Sequence, residues 1–481
     1  MENKKLATLQ ISNHRLFIPA VLSFIDMIIT QHKNYDIDRC NQLRFVVTKM
    51  LLNRITNAYP NTVGELFVEL SIVDDYLEIS VRDKGVPQWI DFSYDEQLIS
   101  SDTENFQKFV LDKCIDCVGL EKLGKDGQRL YVRQKIRNPI SFETPKPYEL
   151  TKPLDTNITI KAVETEEDAI EAIRCIYSEY GYSYAYEKLY YVDNLMRMIR
   201  EGELMSFLAV NEHGQTAGHF ALAFSDLFDN MPEISTVVTR KEFRGLGLFA
   251  KFMDHAEKIA KEKGFRAMMG QPVAYHPISQ KAFLKSNYTA TSILLSYIGS
   301  EVESEYNKQK ERLDLFACIK MMDENATTVI YPPAEIKSFV AKICEKATLK
   351  AEAKDDKELA LNTCVKIEDN VMLKMKRIIL TQAGEDVEKI LKDAVADSIR
   401  KKHEMLELFI SLRHSSCEEA FITAKKCKFT LSGILPGAEN DDYIVMQLLI
   451  KSVRSYDQLV TVGEFEELTQ DIKALTEKRE K

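Results

Sequence analysis

The stretch that decides the fold is EISTVVTRKEFRGLGLFAKFMDHAEKIAKEKG, residues 233–264. Its β-branched beginning predicts a strand, which leads into the turn Arg244-Gly245-Leu246-Gly247. From Leu248 onward apolar side chains recur at helical spacing, and Gly264 stands where a helix C-terminus favours glycine. The unpaired N–H groups and positive dipole of a helix N-terminus, next to two glycines, suit a phosphate. The stretch predicts a strand–turn–helix unit with an anion site, or alternatively a turn that only permits tight packing.

Composition narrows the class of protein. The chain has 481 residues, enough for about three domains, with 45% hydrophobic and 29% charged residues. A net charge of −10 argues against nucleic acid as a partner. Nine scattered cysteines and an N-terminus without an apolar core indicate a reducing compartment and no signal peptide. We therefore expect a cytoplasmic protein with no membrane partner.

Two seams divide the chain into three blocks. The proline-containing segment 143–157 separates block 1–142 from block 156–299, and the charged segment 300–312 precedes block 313–481. The first block predicts helices against an antiparallel sheet, with a helix near 104–117. The other two mix strands and helices. The expected fold class is a multidomain α/β (α+β) protein.

Block 156–299 resembles the GNAT acetyltransferase family over nearly its whole length. The segment RGLGLF (244–249) is similar to that family's pyrophosphate-binding pattern through Arg244 and Gly247, although Phe249 stands where glycine or alanine is usual. The resemblance implies acetyl-CoA, or another acyl-CoA, as the cofactor. It also implies that strands 233–239 and 266–271 splay apart around the pantetheine arm and that strand N–H groups face the thioester. The implied cofactor-binding residues are Val237, Val238, Thr239, Arg244, Gly245, Leu246, Gly247 and Leu248.

The resemblance also implies which residues move protons. Glu233 lies eleven residues before Arg244, where many members of the family carry a general base, but an exposed strand-end carboxylate is the alternative. Phe283 occupies the position of the usual tyrosine acid. His276 and Tyr288, the catalytic candidates that we add to Glu233, could protonate the thiolate, as could nearby Tyr275 or water. Packing roles for these three side chains stay open.

The first block resembles the GHKL ATP-binding fold, in the anti-sigma-factor serine-kinase branch. RFVVTKMLLNRITNAYP (44–60) keeps Asn53 at the Mg²⁺ position, but Lys49 replaces the glutamate base. VRDKGVP (81–87) places Asp83 at the adenine position with Gly85 beside it, while the glycine-rich lid is absent from 95–109. The resemblance implies a degenerate domain with ATP/Mg²⁺ binding in doubt and without ATPase chemistry, because an ammonium cannot accept a proton.

The remaining motifs are less specific. Block 313–481 resembles the C-terminal half of a second GNAT-type domain, or is an unrelated α+β domain. ILTQAGEDVEK (379–389) stands where a CoA-binding turn would lie, and its acidic residues suit no pyrophosphate. This block is expected to be structural or to bind substrate. Cys114 and Cys117, expected on one helix, lack a second pair for zinc, so no metal site is predicted.

These patterns predict an acyl-CoA-dependent N-acyltransferase that modifies a small-molecule or protein amine, with a regulatory ATPase-like N-terminal domain. The alternative is a non-catalytic sensor, in which acyl-CoA or nucleotide occupancy controls binding to a protein partner.

Overall fold

The computed structural model describes residues 3–30, 37–87, 116–135, 157–300, 302, 312–357, 359–451 and 455–477. Contacts divide the chain into two units, Met1–Glu149 and Leu150–Lys481. The segment 95–109 and nearly all of the helix expected near 104–117 lie outside the described residues. In the part of the chain that is described, no helix has the length and apolarity needed to cross a membrane.

The first unit is a sheet covered by helices. Its described strands pair antiparallel in the order β1-β2-β3-β5-β4. Apolar side chains from β2, β3 and α2 fill its core. The bounds are Asn3–Ser12 (β1), Ile18–Thr30 (α1), Ile37–Asn57 (α2), Glu65–Val73 (β2), Tyr76–Asp83 (β3), Cys117–Lys122 (β4) and Gln128–Lys135 (β5). Cys117 therefore begins a strand, and the expectation that it lies on a helix is wrong, because residues 117–122 pair along β5.

The second unit contains the remaining elements. Its helices are Glu166–Tyr180 (α3), Val192–Arg200 (α4), Leu248–Lys263 (α5), Ile278–Lys285 (α6), Lys337–Lys346 (α7), Val387–Arg400 (α8), Cys417–Lys426 (α9) and Glu464–Glu477 (α10). Its strands are Ile158–Ala162 (β6), Leu204–Asn211 (β7), Thr216–Ala223 (β8), Glu233–Thr239 (β9), Ala267–Gly270 (β10), Thr289–Ile298 (β11), Leu313–Met321 (β12), Thr327–Ile330 (β13), Lys350–Ala353 (β14), Cys364–Asn370 (β15), Met375–Gln382 (β16), Met405–Ser411 (β17), Thr430–Leu435 (β18) and Tyr443–Leu449 (β19). We call residues 327–477 the C-terminal region.

A single sheet of twelve described strands runs through this unit. Its order is β15-β16-β17-β19-β18-β11-β12-β10-β9-β8-β7-β6. The five strands β15-β16-β17-β19-β18 repeat the order of β8-β9-β10-β12-β11, and in each set the second and third strands are parallel. The two sets join where Ser292 of β11 pairs with Gly433 of β18. The C-terminal region thus continues the sheet that carries the turn at Arg244.

Strand β12 was not among the strands predicted from the sequence. It lies past residue 299 and inserts between β10 and β11. Its sequence LDLFACIKM is buried at nearly every position, so it lacks the alternation that marks a half-exposed strand.

Helix α5 behaves as its sequence predicts. Its inward positions, among them Phe252, Ala256 and Ala260, are fully buried. Gly264 ends the helix with φ +70°, and the N–H of Phe265 donates to the carbonyl of Ala260. The helix is therefore anchored in the core along one face and ends at Gly264 as predicted.

Candidate active site

The turn before α5 is an open cradle of backbone. Gly245 and Gly247 have φ of +86° and +70°, a conformation that glycine adopts without strain. A Cβ atom at either position would meet nothing within 4 Å, so the space above the turn is free. The helix begins at Leu248, and Lys251 donates to the carbonyl of Gly247, which leaves the first-turn N–H groups outside the helix ladder. The Arg244 guanidinium lies beside the turn, 2.6 Å from the Glu179 carboxylate.

Phe249, the residue that departs from the family pattern, does not fill the cradle. Its ring contacts Phe283 edge to face, with centroids 5.5 Å apart, and packs against the core. Phe283 in turn lies over the backbone of Gly270, where a Cβ atom would come within 2.2 Å of the ring. The two unusual phenylalanines therefore pack on each other at the end of β10.

Strands β9 and β10 separate next to this turn. They pair in parallel only at Met269↔Glu233 and Gly270↔Ile234, because β10 ends at Gly270 while β9 continues to Thr239. Over the rest of β9, β8 is the neighbour on one side, and no described strand pairs with the other. The free side presents strand N–H and C=O groups to any extended chain of amides.

A bulge in β9 is held by a buried histidine. The register shifts between His219 and Ala221, and Thr236 has a left-handed φ of +50°. His219 Nδ1 lies 3.1 Å from the Thr236 carbonyl and Nε2 lies 2.9 Å from Ser206 Oγ. A carbonyl only accepts, so Nδ1 carries the proton and the Ser206 hydroxyl donates to Nε2. Burial lowers the pKa of His219 to about 4, so the imidazole is neutral at physiological pH.

These features fit an acyl-CoA. The Thr236 hydroxyl is buried and has no hydrogen-bond partner among the described residues. It lies on the strand whose free side would meet the pantetheine arm. The open space at Gly245 and Gly247 and the side of β9 that no described strand pairs with leave backbone groups for a bound polar chain ending in a diphosphate.

Glu233 lies at the last point where β9 and β10 pair. Its side chain keeps some contact with solvent, yet protein atoms crowd its carboxyl group. The resulting loss of hydration raises its pKa to about 7, while the charge of Arg377 acts in the opposite direction. A carboxylate with a pKa near neutrality is suited to accept a proton from an ammonium.

A tyrosine-rich loop brings Tyr184 and Tyr186 close to Glu233, and no sequence motif marks this loop. Seven tyrosines fall within residues 177–191. The rings of Tyr180 and Tyr184 lie 4.9 Å apart, and those of Tyr184 and Tyr186 lie 6.0 Å apart. Tyr184 hydrogen-bonds to the Ser235 side chain, and burial raises its pKa well above the ordinary value, as it raises that of Tyr186 to about 12. The density of tyrosine was a usable signal in the sequence.

The C-terminal region contributes a second charged group. Arg377 of β16 donates through Nε to Glu407 of β17 at 2.9 Å and through Nη2 to the Tyr297 hydroxyl at 3.1 Å. Glu407 is 1% exposed, whereas Arg377 keeps 24% exposure. This ion pair fixes a cation whose charge reaches Glu233. Because the two positions are 144 residues apart in sequence and share no motif, no pattern in the sequence points to Arg377.

The two predicted acid residues lie in different surroundings. His276, in the loop after β10, accepts through Nδ1 from the N–H of Ile278 at 3.3 Å, and partial burial lowers its pKa. Its ring contacts Tyr275 edge to face at 4.8 Å. Tyr288 is buried, with its hydroxyl 3.8 Å from Met268 Sδ. Burial raises the pKa of Tyr288 well above the ordinary value.

In the first unit, internal contacts occupy two of the three predicted nucleotide residues, Asp83 and Gly85. Asp83 is fully buried and accepts from Arg54 Nε at 2.6 Å and from the N–H of Gly85 at 2.9 Å. A Cβ atom at Gly85 would lie 2.2 Å from the carbonyl of Ala58. Asn53 lies on α2, and its buried Oδ1 has no hydrogen-bond partner among the described residues. The ion pair with Arg54 gives Asp83 a structural role, and the close approach to Ala58 gives Gly85 one.

The turn after β16 differs from the turn after β9. A Cβ atom at Gly384 would meet the backbone carbon of Asn362 at 2.3 Å, and Asp386 accepts from the N–H and hydroxyl of Thr363. Strands β16 and β17 also pair at six positions instead of two. The turn at Gly384 and the space between β16 and β17, which correspond to the open turn and the strand separation in the first half of the sheet, are therefore filled by the chain itself.

Comparison with known proteins identifies part of the chain. Residues 168–286 match the model of the Acetyltransferase (GNAT) family. Similar solved structures include a putative acetyltransferase from Acinetobacter baylyi ADP1 (19% identity over 35% of this chain and 93% of that chain, TM-score 0.30) and an N-acetyltransferase from Staphylococcus aureus Mu50 (19%, 35% and 99%, TM-score 0.29). A spermidine N-acetyltransferase from Vibrio cholerae, in complex with CoA and spermine, is 13% identical over 35% of this chain and 97% of that chain (TM-score 0.29). No curated protein matches the chain.

The expectation of an acetyltransferase domain is confirmed: residues 168–286 form a domain of the GNAT family, which uses acetyl-CoA. The domain contains the turn at Arg244, the separated strands and Glu233.

Proposed function

We propose that the chain is an acyl-CoA-dependent N-acyltransferase in which Glu233 is the general base. The observation that carries this proposal is the separation of β9 from β10 immediately after Glu233, next to the open turn at Gly245 and Gly247. An acyl-CoA laid along the free side of β9 would bring its thioester close to the one crowded carboxylate at the end of the strand pair.

The cofactor would be held mainly by backbone. We assign the diphosphate to the turn Arg244, Gly245, Leu246, Gly247 and Leu248, where first-turn N–H groups and the helix dipole favour an anion. The pantetheine amides would pair with β9 from Val237 to Thr239. The N–H groups of Val237 and Val238 are our candidates for the thioester oxygen, where a donor fixed by a bulged strand stabilises developing negative charge.

Glu233 would take a proton from the acceptor ammonium. The neutral amine would then form a bond to the thioester carbon while the C–S bond breaks and the electron pair leaves on the sulfur as thiolate. The nitrogen would lose its second proton as the amide forms, which balances the proton that the sulfur takes up. Because CoA thiolate is a tolerable leaving group, the reaction does not depend on a strong acid. His276 and Tyr288 stay our candidates for protonating the sulfur. His276 is the better placed of the two, since the Tyr288 hydroxyl is in the core.

We infer that the acceptor is a small-molecule amine. The support is that protein atoms crowd the Glu233 carboxyl, with Tyr184 and Tyr186 beside it, so only a slender group would reach the base. A protein amine would have to enter this space through an extended side chain.

The test is acyl transfer by the purified full-length chain. With acetyl-CoA and a panel of amines, we expect product of the acetyl mass and release of free CoA. Glu233→Gln should lower kcat at least about 100-fold. If CoA binds with micromolar affinity and no amine of the panel is modified, the enzyme proposal fails. The same site would then support the alternative function, a non-catalytic sensor of acyl-CoA.

A matched pair of glycine variants tests whether the turn at Arg244 binds the diphosphate. Gly245→Val places a side chain in the open space above the turn and should raise the Kd for CoA at least about tenfold. Gly214→Val is the control, because Gly214 also has a positive φ of +75° and free space around it but lies in the β7–β8 turn. Equal loss of CoA affinity in both variants would contradict the assignment of the diphosphate to the Arg244 turn.

For the first unit we propose a regulatory or assembly role without ATP turnover, as its GHKL resemblance with Lys49 in place of the base implies. The pairing of Asp83 with Arg54 supports this reading, because the carboxylate that would read adenine is already engaged. Calorimetry of the full chain with ATP and Mg²⁺ should give weak binding or none. Submicromolar ATP affinity, or ATP hydrolysis, would overturn the proposal.

A further inference from the structure

A cavity of about 440 Å³ opens between the loop before β9 and the strands β15 and β16. We call it the β16 cavity. Its charged lining consists of Asp226 from the loop, Lys366 and Glu368 from β15, and Arg377 from β16. Arg377 is also the group whose charge acts on Glu233. The cavity and the proposed base therefore share a side chain that comes from the C-terminal region.

A second cavity, of about 480 Å³, lies at the other end of the β15–β16 hairpin. The tyrosine loop contributes Tyr182, Tyr184 and Tyr190, and the hairpin turn contributes Met372 and Leu373. Tyr184 hydrogen-bonds to Ser235, two residues along β9 from Glu233. One hairpin thus forms a wall of both cavities, and each cavity includes a side chain that reaches the surroundings of Glu233.

Ion pairs balance most of the charges at the β16 cavity. Lys366 Nζ lies 2.7 Å from Glu368, and Arg377 is paired with buried Glu407. Asp226, which is exposed in the cavity wall, also acts on Lys366, and with Glu407 counted there are three carboxylates for the two cations Lys366 and Arg377. Tyr443 also lines the cavity, and the face of a tyrosine ring attracts cations. This balance favours a positively charged acceptor and disfavours one with a carboxylate.

We propose that the β15–β16 hairpin and the loop at Asp226 form the acceptor's binding site, and that the acceptor is an amine with a second positive charge and no carboxylate. The proposal rests on the N-acyltransferase function proposed above. One ammonium group gives its proton to Glu233 and is acylated. The other group stays protonated beside Asp226. Arg377, held by Glu407 and Tyr297, lines the same cavity as Asp226, and its charge acts on Glu233.

The test compares three acceptors of equal length with the full chain and acetyl-CoA: pentane-1,5-diamine, pentylamine and 5-aminopentanoate. We expect kcat/KM to fall in that order, with the diamine at least about threefold above the monoamine, as one partly exposed ion pair allows. Asp226→Asn should bring the diamine-to-monoamine ratio close to one. Asp229→Asn is the control, since Asp229 is exposed in the same loop and does not line the cavity.

The outcomes separate this proposal from the enzyme proposal. Transfer to 5-aminopentanoate at least as fast as to the diamine, or an unchanged ratio in Asp226→Asn, would overturn the acceptor site and leave the transferase function intact. If none of the three compounds is acetylated, their binding to the CoA-loaded chain is measured by calorimetry, and this measurement decides on the acceptor site. Diamine binding that is lost in Asp226→Asn and kept in Asp229→Asn supports the site, and absence of diamine binding refutes it.

Discussion

Glu233→Gln should make the second unit more stable while it removes activity. The folded state holds the carboxyl with a pKa of about 7, against an ordinary 4.5, because the surrounding protein displaces water. The protonated carboxyl therefore contributes its full share of the unfolding free energy below about pH 4.5. This contribution is lost as the pH rises through about 7. The difference corresponds to about 3 kcal/mol at most. Partial solvent contact of the side chain reduces this figure.

Glutamine mimics the protonated carboxyl without titrating. We expect the variant and the unchanged chain to unfold at similar temperatures near pH 5, and the variant to unfold at a higher temperature at pH 8. The charged and titratable groups around Glu233 are Arg377, Tyr184, Tyr186, Tyr297 and Cys318. Of these, the tyrosines and the cysteine stay neutral between pH 5 and 8 because burial raises their pKa values, so the pH dependence belongs to Glu233.

The assay is thermal unfolding by calorimetry at half-unit steps from pH 5 to 8. Glu324→Gln serves as the control, since Glu324 is an exposed carboxylate in the loop after β12. The kcat/KM of the unchanged chain should rise with pH up to about 7 and then level off, as expected for a base that must be ionised. A stability difference between Glu233→Gln and the unchanged chain that is constant across this range would refute the reasoning.

Three further predictions concern other parts of the chain. Arg54→Met should lower the unfolding free energy of the first unit by about 3–5 kcal/mol, because it leaves buried Asp83 without its cation; a smaller loss in urea titrations than in Asp83→Asn would contradict this account. His219→Leu should lower kcat about tenfold with little change in the KM for acetyl-CoA, since it frees the β9 bulge, and His219→Asn should restore part of the rate; an equal fall for both variants would indicate a packing role alone. Gly270→Ala should cost about 1–3 kcal/mol by forcing the Phe283 ring aside, and adding Phe283→Leu should recover part of the loss in calorimetric unfolding; no recovery would place the strain elsewhere.

What the sequence predicted well is what short-range chemistry determines. The β-branched run, the two glycines with positive φ and the C-terminal Gly264 each act within a few residues, so the strand, turn and helix at 233–264 follow from local pattern. The position of Glu233 at the start of β9 was also accessible, because it depends on its distance from Arg244 along one strand and turn.

The rest of the site depends on contacts between distant segments. Arg377 reaches Glu233 only because β16 belongs to the same sheet, which joins through β11 and β18. Strand β12 was not predicted because it is buried on both faces, so its sequence lacks the alternation of apolar and polar residues that marks a half-exposed strand. The tyrosine loop was visible as composition, yet its contact with Ser235 depends on how α3 ends beside β9.

The two similar halves of the sheet show why one of them is proposed to bind a cofactor. In the first half, β10 ends after two pairs with β9 and there is open space above Gly245, so the backbone donors there have no partner strand among the described residues. In the second half, β16 and β17 pair at six positions and Gly384 lies against the backbone at Asn362, so the same donors are already used. A closed half can instead position side chains rigidly, because full pairing fixes where Arg377 and Glu407 stand. We therefore expect that shortening β17 will not create a second CoA site, since the Gly384 turn would still be blocked. It will instead loosen Arg377 and weaken acceptor binding.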